Sequence, residues 1–298
     1  MAEALLGPDL MRRLEQLELL ARRRARSAAR GERSSRARGH SVEFADYRNY
    51  VPGDDVRYLD WNLYGRLERL FLKLYEEERE LPVRIFLDAS ESMTFGEPVK
   101  FDFARRAAAG IGYVALCGFD RVSVSVFPGR PEQAAVCSAL RSVRGRKRAQ
   151  ALFRNLSALE AGGVAQLNES LRRGALDARQ PGLAVVLSDF LDPTGYEAGL
   201  NALVGRGFQV DVIQVLAPEE LEPTVSGDLR LVDSETGAQQ EVTFGRYRLA
   251  AYRETVTRFC QRLIDFCRGR GIRHILAGSS MPLEELLLRQ LRKAEILG

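Results

Sequence analysis

From residue 81 onward, short apolar runs alternate with stretches whose apolar residues recur at helical spacing. Such runs suit strands buried on both faces, and the helical stretches suit the crossovers of a parallel sheet. Strands are expected at Val83 to Asp88, Arg121 to Phe127, Ala134 to Cys137, Leu183 to Asp189, Phe208 to Val215 and Ile272 to Ala277. Helices are expected near Phe101 to Cys117, Lys147 to Leu159, Ala165 to Ala178, Gly195 to Arg206, Leu249 to Arg268 and Leu283 to Lys293. Between the fifth strand and its helix, GDLRLVDSETGAQQEVTF reads as a β-hairpin turning at Thr236-Gly237, inserted at about residues 226–245.

The first 80 residues follow a different pattern. Leu10, Leu14, Leu17 and Leu20 predict an amphipathic helix from Pro8 to about Ser27. An Arg-, Ser- and Gly-rich loop follows, then the Tyr- and Asp-rich segment SVEFADYRNYVPGDDVRYLDW. Pro52-Gly53 marks a turn there, Asp54 or Asp55 can cap a short helix through Arg66, and LFLKLYEE alternates like a strand. The expected organisation is an N-terminal region, residues 1–80, ahead of one α/β domain, residues 81–298, built on a doubly wound, mostly parallel six-stranded sheet.

Composition is that of an ordinary globular chain: 298 residues, 45% hydrophobic and 28% charged. The net charge of +4 excludes binding to nucleic acid through bulk charge. It is unevenly spread, because residues 1–40 hold ten arginines against five acids while the remainder is balanced to within one charge. The N-terminus lacks the apolar segment and cleavage site of a secretory signal. The longest nearly apolar stretch, Ala107 to Phe119, falls short of the roughly 18 residues of a membrane span. Cys117, Cys137, Cys260 and Cys267 show no CxxC spacing, so four reduced thiols in a soluble cytoplasmic protein are expected.

Ligands of open α/β sheets bind beyond the carboxyl ends of the strands, where strand order reverses. The run VRIFLD ends in Asp88 and continues into Ser90 and Ser92, a D-x-S-x-S pattern on the first strand-to-helix turn, and LAVVLSD ends in Asp189. If the two strands are parallel neighbours, two carboxylates and two hydroxyls converge, a hard oxygen set suited to Mg²⁺ or Mn²⁺ with retained waters. The alternative is structural, with Ser90 and Ser92 capping the helix and the aspartates only holding the loops together.

The D-x-S-x-S strand and the later Asp resemble the metal-ion-dependent adhesion site of von Willebrand factor A-like domains. That resemblance implies binding rather than turnover, with the serines as direct ligands, the aspartates bonding through water, and one position left for a carboxylate of a protein partner. The family's site also uses a Thr, and here EAGGVAQLNESL places Val164 at its position; Gln166, Asn168 or a water is the candidate replacement. The N-terminal stretch GERSSRARGHSVEFADYRNYVPGDDVRYLDWNLYGRLERLFLKLYEEERELPV, followed by the D-x-S-x-S strand and closing with MPLEELLLRQLRKAEIL, resembles the bacterial domain-of-unknown-function family 58. The resemblance implies a partner of the MoxR-type AAA+ ATPase class and work in protein maturation or remodelling. Within its signature, Asp54, Asp55, Arg57, Asp60 and Trp61 are expected to form a salt-bridged, Trp-anchored clasp joining the N-terminal part to the sheet, or else a partner-binding surface.

The expected function is therefore a non-catalytic adaptor. Two alternatives are weaker. A Mg²⁺-dependent phosphatase-like hydrolase would use an Asp at a strand end, but the second acid of the D-x-D pattern is Ser90 here. Neither a Walker A motif nor a G-x-G-x-x-G turn between strand and helix is present. Neither His40 nor His274 is placed for a hydrolytic triad. Nucleic-acid binding rests on Arg22 to Arg38 and on the run Arg141, Arg144, Arg146, Lys147 and Arg148, without interleaved aromatic residues to stack bases.

Overall fold

A computed structural model describes residues 5–20, 42–77, 80–128, 137–223, 227–232, 239–244 and 246–298. The chain divides into two compact units, one of residues 25–80 and one of residues 1–24 with 81–298. In chain order the elements are α1 (Pro8–Leu14), β1 (Val42–Asn49), α2 (Trp61–Leu67), β2 (Phe71–Glu77), β3 (Pro82–Asp88), α3 (Lys100–Cys117), β4 (Arg121–Phe127), β5 (Cys137–Arg144), α4 (Ala149–Ser157) and α5 (Leu167–Leu176). They continue with β6 (Leu183–Ser188), α6 (Glu197–Gly205), β7 (Gln209–Leu216), α7 (Pro218–Leu221), β8 (Gly227–Val232), β9 (Gln239–Phe244), α8 (Arg246–Arg268) and β10 (Arg273–Gly278). A C-terminal helical segment closes the chain in three pieces, Leu283–Glu285, a π turn at Leu286–Gln290, and Leu291–Lys293.

The larger unit holds the expected doubly wound sheet, six strands in the order β10-β7-β6-β3-β4-β5. All neighbours are parallel except β4 and β5. Strands buried on both faces read as continuous apolar runs, and β6, LAVVLS, is buried at every residue. Alternate side chains of β3 feed the two faces. Val83, Ile85 and Leu87 pack in one core with Ala104, Ala108 and Ile111 of α3 and Leu152 of α4. Phe86 packs in the other with Leu167 and Leu171 of α5 and Leu200 of α6. The hairpin of β8 and β9 is antiparallel, with its turn outside the described residues.

Three expectations need correction. The strand expected at Ala134 to Cys137 is β5, Cys137–Arg144; residues 134–136 lie outside the described residues. Arg141 and Arg144 had marked it as a charge run, but they belong to an edge strand whose solvent side tolerates charge, with the Arg144 side chain bonded to the Phe119 carbonyl at 2.9 Å. The N-terminal helix ends at Leu14, and Leu19 then pairs with Leu297 in an antiparallel bridge; the rest of the expected helix, from residue 21, lies outside the described residues. Glu18 exchanges backbone bonds with Gly298 in both directions, at 3.1 and 3.0 Å. This segment is held against α3 by the Tyr113 hydroxyl, which donates to Glu15 at 2.8 Å.

In the smaller unit, Val42–Asn49 forms a strand, β1, paired antiparallel with β2 through a bulge between Phe44 and Asp46. The short helix expected through Arg66 is split into a single turn at Val56–Tyr58 and α2. Asp60 separates them, its Oδ1 accepting from the amides of Asn62 and Leu63 as the N-cap of α2.

One close approach decides the packing of α5 on the sheet. A Cβ added at Gly174 would overlap the Phe86 ring, which the core holds in place. Gly174→Ala is expected to destabilise the larger unit by about 1–3 kcal/mol, read as a lowered midpoint in urea unfolding.

Candidate functional site

The chain runs from β3 to β4 and β5 on one side, then returns to β6 on the other, so strand order reverses between β3 and β6. These strands are parallel neighbours in register, with Leu87 opposite Leu187. Asp88 and Asp189 therefore emerge together at the carboxyl edge. The four residues expected from sequence do converge. Ser90 Oγ lies 3.1 Å from Ser92 Oγ, and the Ser92 hydroxyl donates to Asp189 Oδ2 at 2.9 Å. Asp88, Ser90 and Asp189 are all buried.

Asp88 accepts from the Ser90 amide at 2.9 Å and from the Ser188 hydroxyl at 2.6 Å. Ser188 in turn accepts from the Phe190 amide at 2.9 Å, and Asp189 Oδ1 from the Leu191 amide at 3.0 Å. The next loop is tied in by the backbone, through Glu91 N–H to the Gly163 carbonyl at 2.8 Å and Gly162 N–H to the Ala89 carbonyl at 2.7 Å. Burial, and then the neighbouring Asp189 carboxylate, push the pKa of Asp88 up to about 7 against the hydrogen bonds that favour its charge.

Two charged partners of the site belong to no sequence motif. Lys100, the first residue of α3, is fully buried and donates to Asp189 Oδ2 at 2.7 Å and to Glu220 Oε1 at 2.6 Å. Burial works against its charge, but the two carboxylates more than offset this and hold its pKa above the ordinary lysine value. Glu220 lies in α7, 120 residues along the chain, and its other oxygen accepts from the Ala217 amide at 2.7 Å. One signal did exist: only four of the 44 basic residues are lysine, and Lys100 stands between Val99 and Phe101 at the start of an apolar helix.

The donor set is chemically suited to a hard divalent ion. The paired hydroxyls are neutral oxygen ligands, and Asp88, Asp189 and Glu220 against Lys100 leave a formal charge of −2, which a divalent ion would cancel. Among the described residues no group of three or more His, Cys, Asp or Glu side chains could hold a metal, so an ion here would depend on the serine hydroxyls and on water for much of its coordination. Val164 is exposed and brings no oxygen. Asn168 is committed elsewhere, its amide donating to the Thr194 and Gly195 carbonyls at 2.9 Å each and its oxygen accepting from Gly199 N–H at 2.8 Å. Gln166 is exposed at the start of α5.

The rim of the site carries exposed apolar side chains among polar ones. Phe95, Val164 and Leu191, from three of the loops that build it, are 50%, 51% and 45% exposed. His274, by contrast, is a strand residue within hydrogen-bonding distance of Gln214, and burial lowers its pKa to about 4. In the smaller unit the charged residues expected to form a clasp pair locally, the Arg57 side chain on Asp55 at 3.0 Å and Asp54 with Arg48, outside the expected set, at 2.9 Å, and the Tyr47 hydroxyl donates to Asp60 at 3.0 Å. Trp61, expected as an anchor, is 64% exposed and meets Tyr64 edge-on.

A family model described as protein of unknown function DUF58 matches residues 46–260. Uncharacterized proteins of Mycobacterium tuberculosis and Mycobacterium bovis are each 30% identical over 242 residues, covering 78% of this chain and 74% of their own. Among solved structures, the conserved hypothetical protein BatB of Bacteroides thetaiotaomicron has a TM-score of 0.44 at 16% identity, over 72% of this chain and 98% of its own. A von Willebrand factor type A protein of Catenulispora acidiphila has a TM-score of 0.40 at 12% identity, over 76% of this chain and 44% of its own. The fold class rests on the strand order and on the position of the site at its reversal. Among the described residues no helix is long and apolar enough to cross a membrane.

The Asp88 shift sets the sign of a pH effect. The unfolded carboxyl titrates near 3.8 and the folded one near 7, so the folded state binds the extra proton between those values. In chelator, stability should be greatest below about pH 4 with respect to this group and fall by about 4 kcal/mol as pH rises from there through 7. Asp88→Asn should flatten that part of the stability profile, measured by urea unfolding across the range.

Proposed function

From the membership of this chain in the DUF58 family, we propose that it is a non-catalytic adaptor that presents the carboxyl edge of its sheet to a protein partner. The observation that carries the reading is the pairing of a buried polar cluster with an exposed apolar rim on the same loops. A cluster of Asp88, Ser90, Ser92 and Asp189 gives a directional polar contact, and Phe95, Val164 and Leu191 give apolar area around it. Recognition surfaces combine these two features, with apolar side chains excluding water from a central polar contact.

Ser90 and Ser92 would hold Mg²⁺ or Mn²⁺ directly, with Asp88 and Asp189 acting through water. The bound ion supplies an electrophilic point for a carboxylate of the partner. The residues of the chain do the rest. The Ser90 amide and Ser188 hydroxyl fix the Asp88 carboxylate, the Leu191 amide and Ser92 hydroxyl fix that of Asp189, and the rim side chains keep bulk water from the contact. A hydrolytic use of Asp88 finds no support in its placement, since it is 1% exposed and both of its oxygens are engaged by donors. The partner class we propose is a MoxR-type AAA+ ATPase, with a role in protein maturation or remodelling.

The test uses the purified full chain and a purified MoxR-type ATPase from the same genome, measured by surface-immobilised binding. Wild type should bind in Mg²⁺ and weaken on chelation. Phe95→Ser combined with Leu191→Ser should weaken binding at least ~10-fold, about 1.4 kcal/mol, while melting as wild type. No binding by the wild type in either condition, or binding untouched by both the rim substitutions and Asp189→Ala, sinks the proposal.

A further inference from the structure

Lysine is rarely buried unless paired, because removing an ammonium from water is costly. Lys100 is buried completely, at the start of α3, and its Nζ bridges Asp189 Oδ2 at 2.7 Å and Glu220 Oε1 at 2.6 Å. One ammonium thus ties together three crossovers at the carboxyl edge: its own after β3, that of Asp189 after β6, and that of Glu220 after β7. The Phe95 ring lies 6.0 Å from the same nitrogen, so the charge also sits beneath an apolar rim residue. Asp189 Oδ2 is shared, since the Ser92 hydroxyl donates to it as well. A cation approaching the serine pair therefore meets a carboxylate oxygen whose charge is already paired with an ammonium.

We propose that Lys100 is a resident cation of this site, whose ammonium assembles the three loops without metal and weakens divalent binding by competing for Asp189. The assembly part stands on the ion pairs alone; the competition part rests on the divalent reading given above. The consequence is a graded site. The loops keep their shape when the ion leaves, and the free protein holds the ion loosely. Arginine cannot take this role. Its guanidinium is a wide planar fork, whereas the space between Asp189 and Glu220 is filled by one compact nitrogen.

Melting in chelator and in submillimolar Mn²⁺, with Mn²⁺ affinity from calorimetry, tests this on the full chain. Wild type should melt at the same temperature in both conditions. Lys100→Met should melt lower in chelator, recover in Mn²⁺, and bind Mn²⁺ roughly tenfold or more tightly than wild type. Lys100→Arg should not restore wild-type melting in chelator. The proposal is overturned if Lys100→Met melts as wild type in chelator, if it binds Mn²⁺ no more tightly than wild type, or if Mn²⁺ raises the wild-type melting temperature as much as that of the variant. Should Lys100→Met fail to fold in both conditions, Glu220→Gln decides. It leaves the ammonium on Asp189 alone and should lower melting in chelator with Mn²⁺ binding still weak, whereas wild-type melting overturns the proposal. None of these measurements involves a partner, so loss of the adaptor reading in the binding experiment leaves this result intact, and the reverse.

Discussion

Parallel strands all deliver their carboxyl ends to the same edge, and in this protein that edge concentrates acid. Asp88 and Asp189 are carried there by adjacent strands and Glu220 by the turn of helix that follows the next one. Three carboxylates brought out of water would repel one another and lose their hydration. Placing Lys100 between two of them, and a backbone amide and a serine hydroxyl on the third, Asp88, compensates that cost. The same loops are also tied by the Glu91 amide on the Gly163 carbonyl and the Leu191 amide on Asp189. The edge is held by electrostatic compensation, whereas the body of the sheet is held by apolar burial on its two faces.

What could be read in the sequence follows the range of the interactions involved. β3, β4 and β6 are short, Val-, Ile- and Leu-rich segments, unbroken in β6 and interrupted by Arg84 in β3 and by serines in β4, and their limits match to within a residue because mostly buried strands leave few other patterns. Their carboxyl ends then place Asp88 and Asp189, so half of the site follows from strand boundaries alone. β5 was cut short because an edge strand with arginines on its open side carries no such run. β1 has no expected counterpart, because its polar, Tyr- and Asp-rich sequence carries no apolar run; pairing with β2 makes it a strand. Lys100 and Glu220 are separated by 120 residues, and only the assembled sheet brings them together. Ser188 lay within an expected strand, where an alternating side chain would be taken for core, yet it donates to Asp88.

The family match spans both compact units, residues 46–260, and so ties the signature segment and the sheet into one evolutionary object. The two units are built on different principles. The smaller one relies on a two-stranded sheet, an Asp60 cap and local charged pairs, and leaves Trp61 and Tyr64 on its surface. Surface charged pairs of this kind contribute about 0–1 kcal/mol each, so the stability of that unit comes from its strand pairing and from the few apolar residues it buries, Leu59 and Leu72 among them.

The bridge between Leu19 and Leu297 has a consequence for the order in which the protein is made. Residues 18–20 take their backbone partners from residues 296–298, so the first segment of the larger unit cannot be satisfied until the last has been synthesised. Loop closure across nearly the whole chain is entropically costly and comes late in folding, so this pairing follows formation of the sheet. Leu10 and Leu14 share a core with α3 and can be covered once that helix is made, whereas the backbone of residues 18–20 waits for the last residues of the chain. A charged substitution at Leu19 or at Leu297 would fall on the same closing contact.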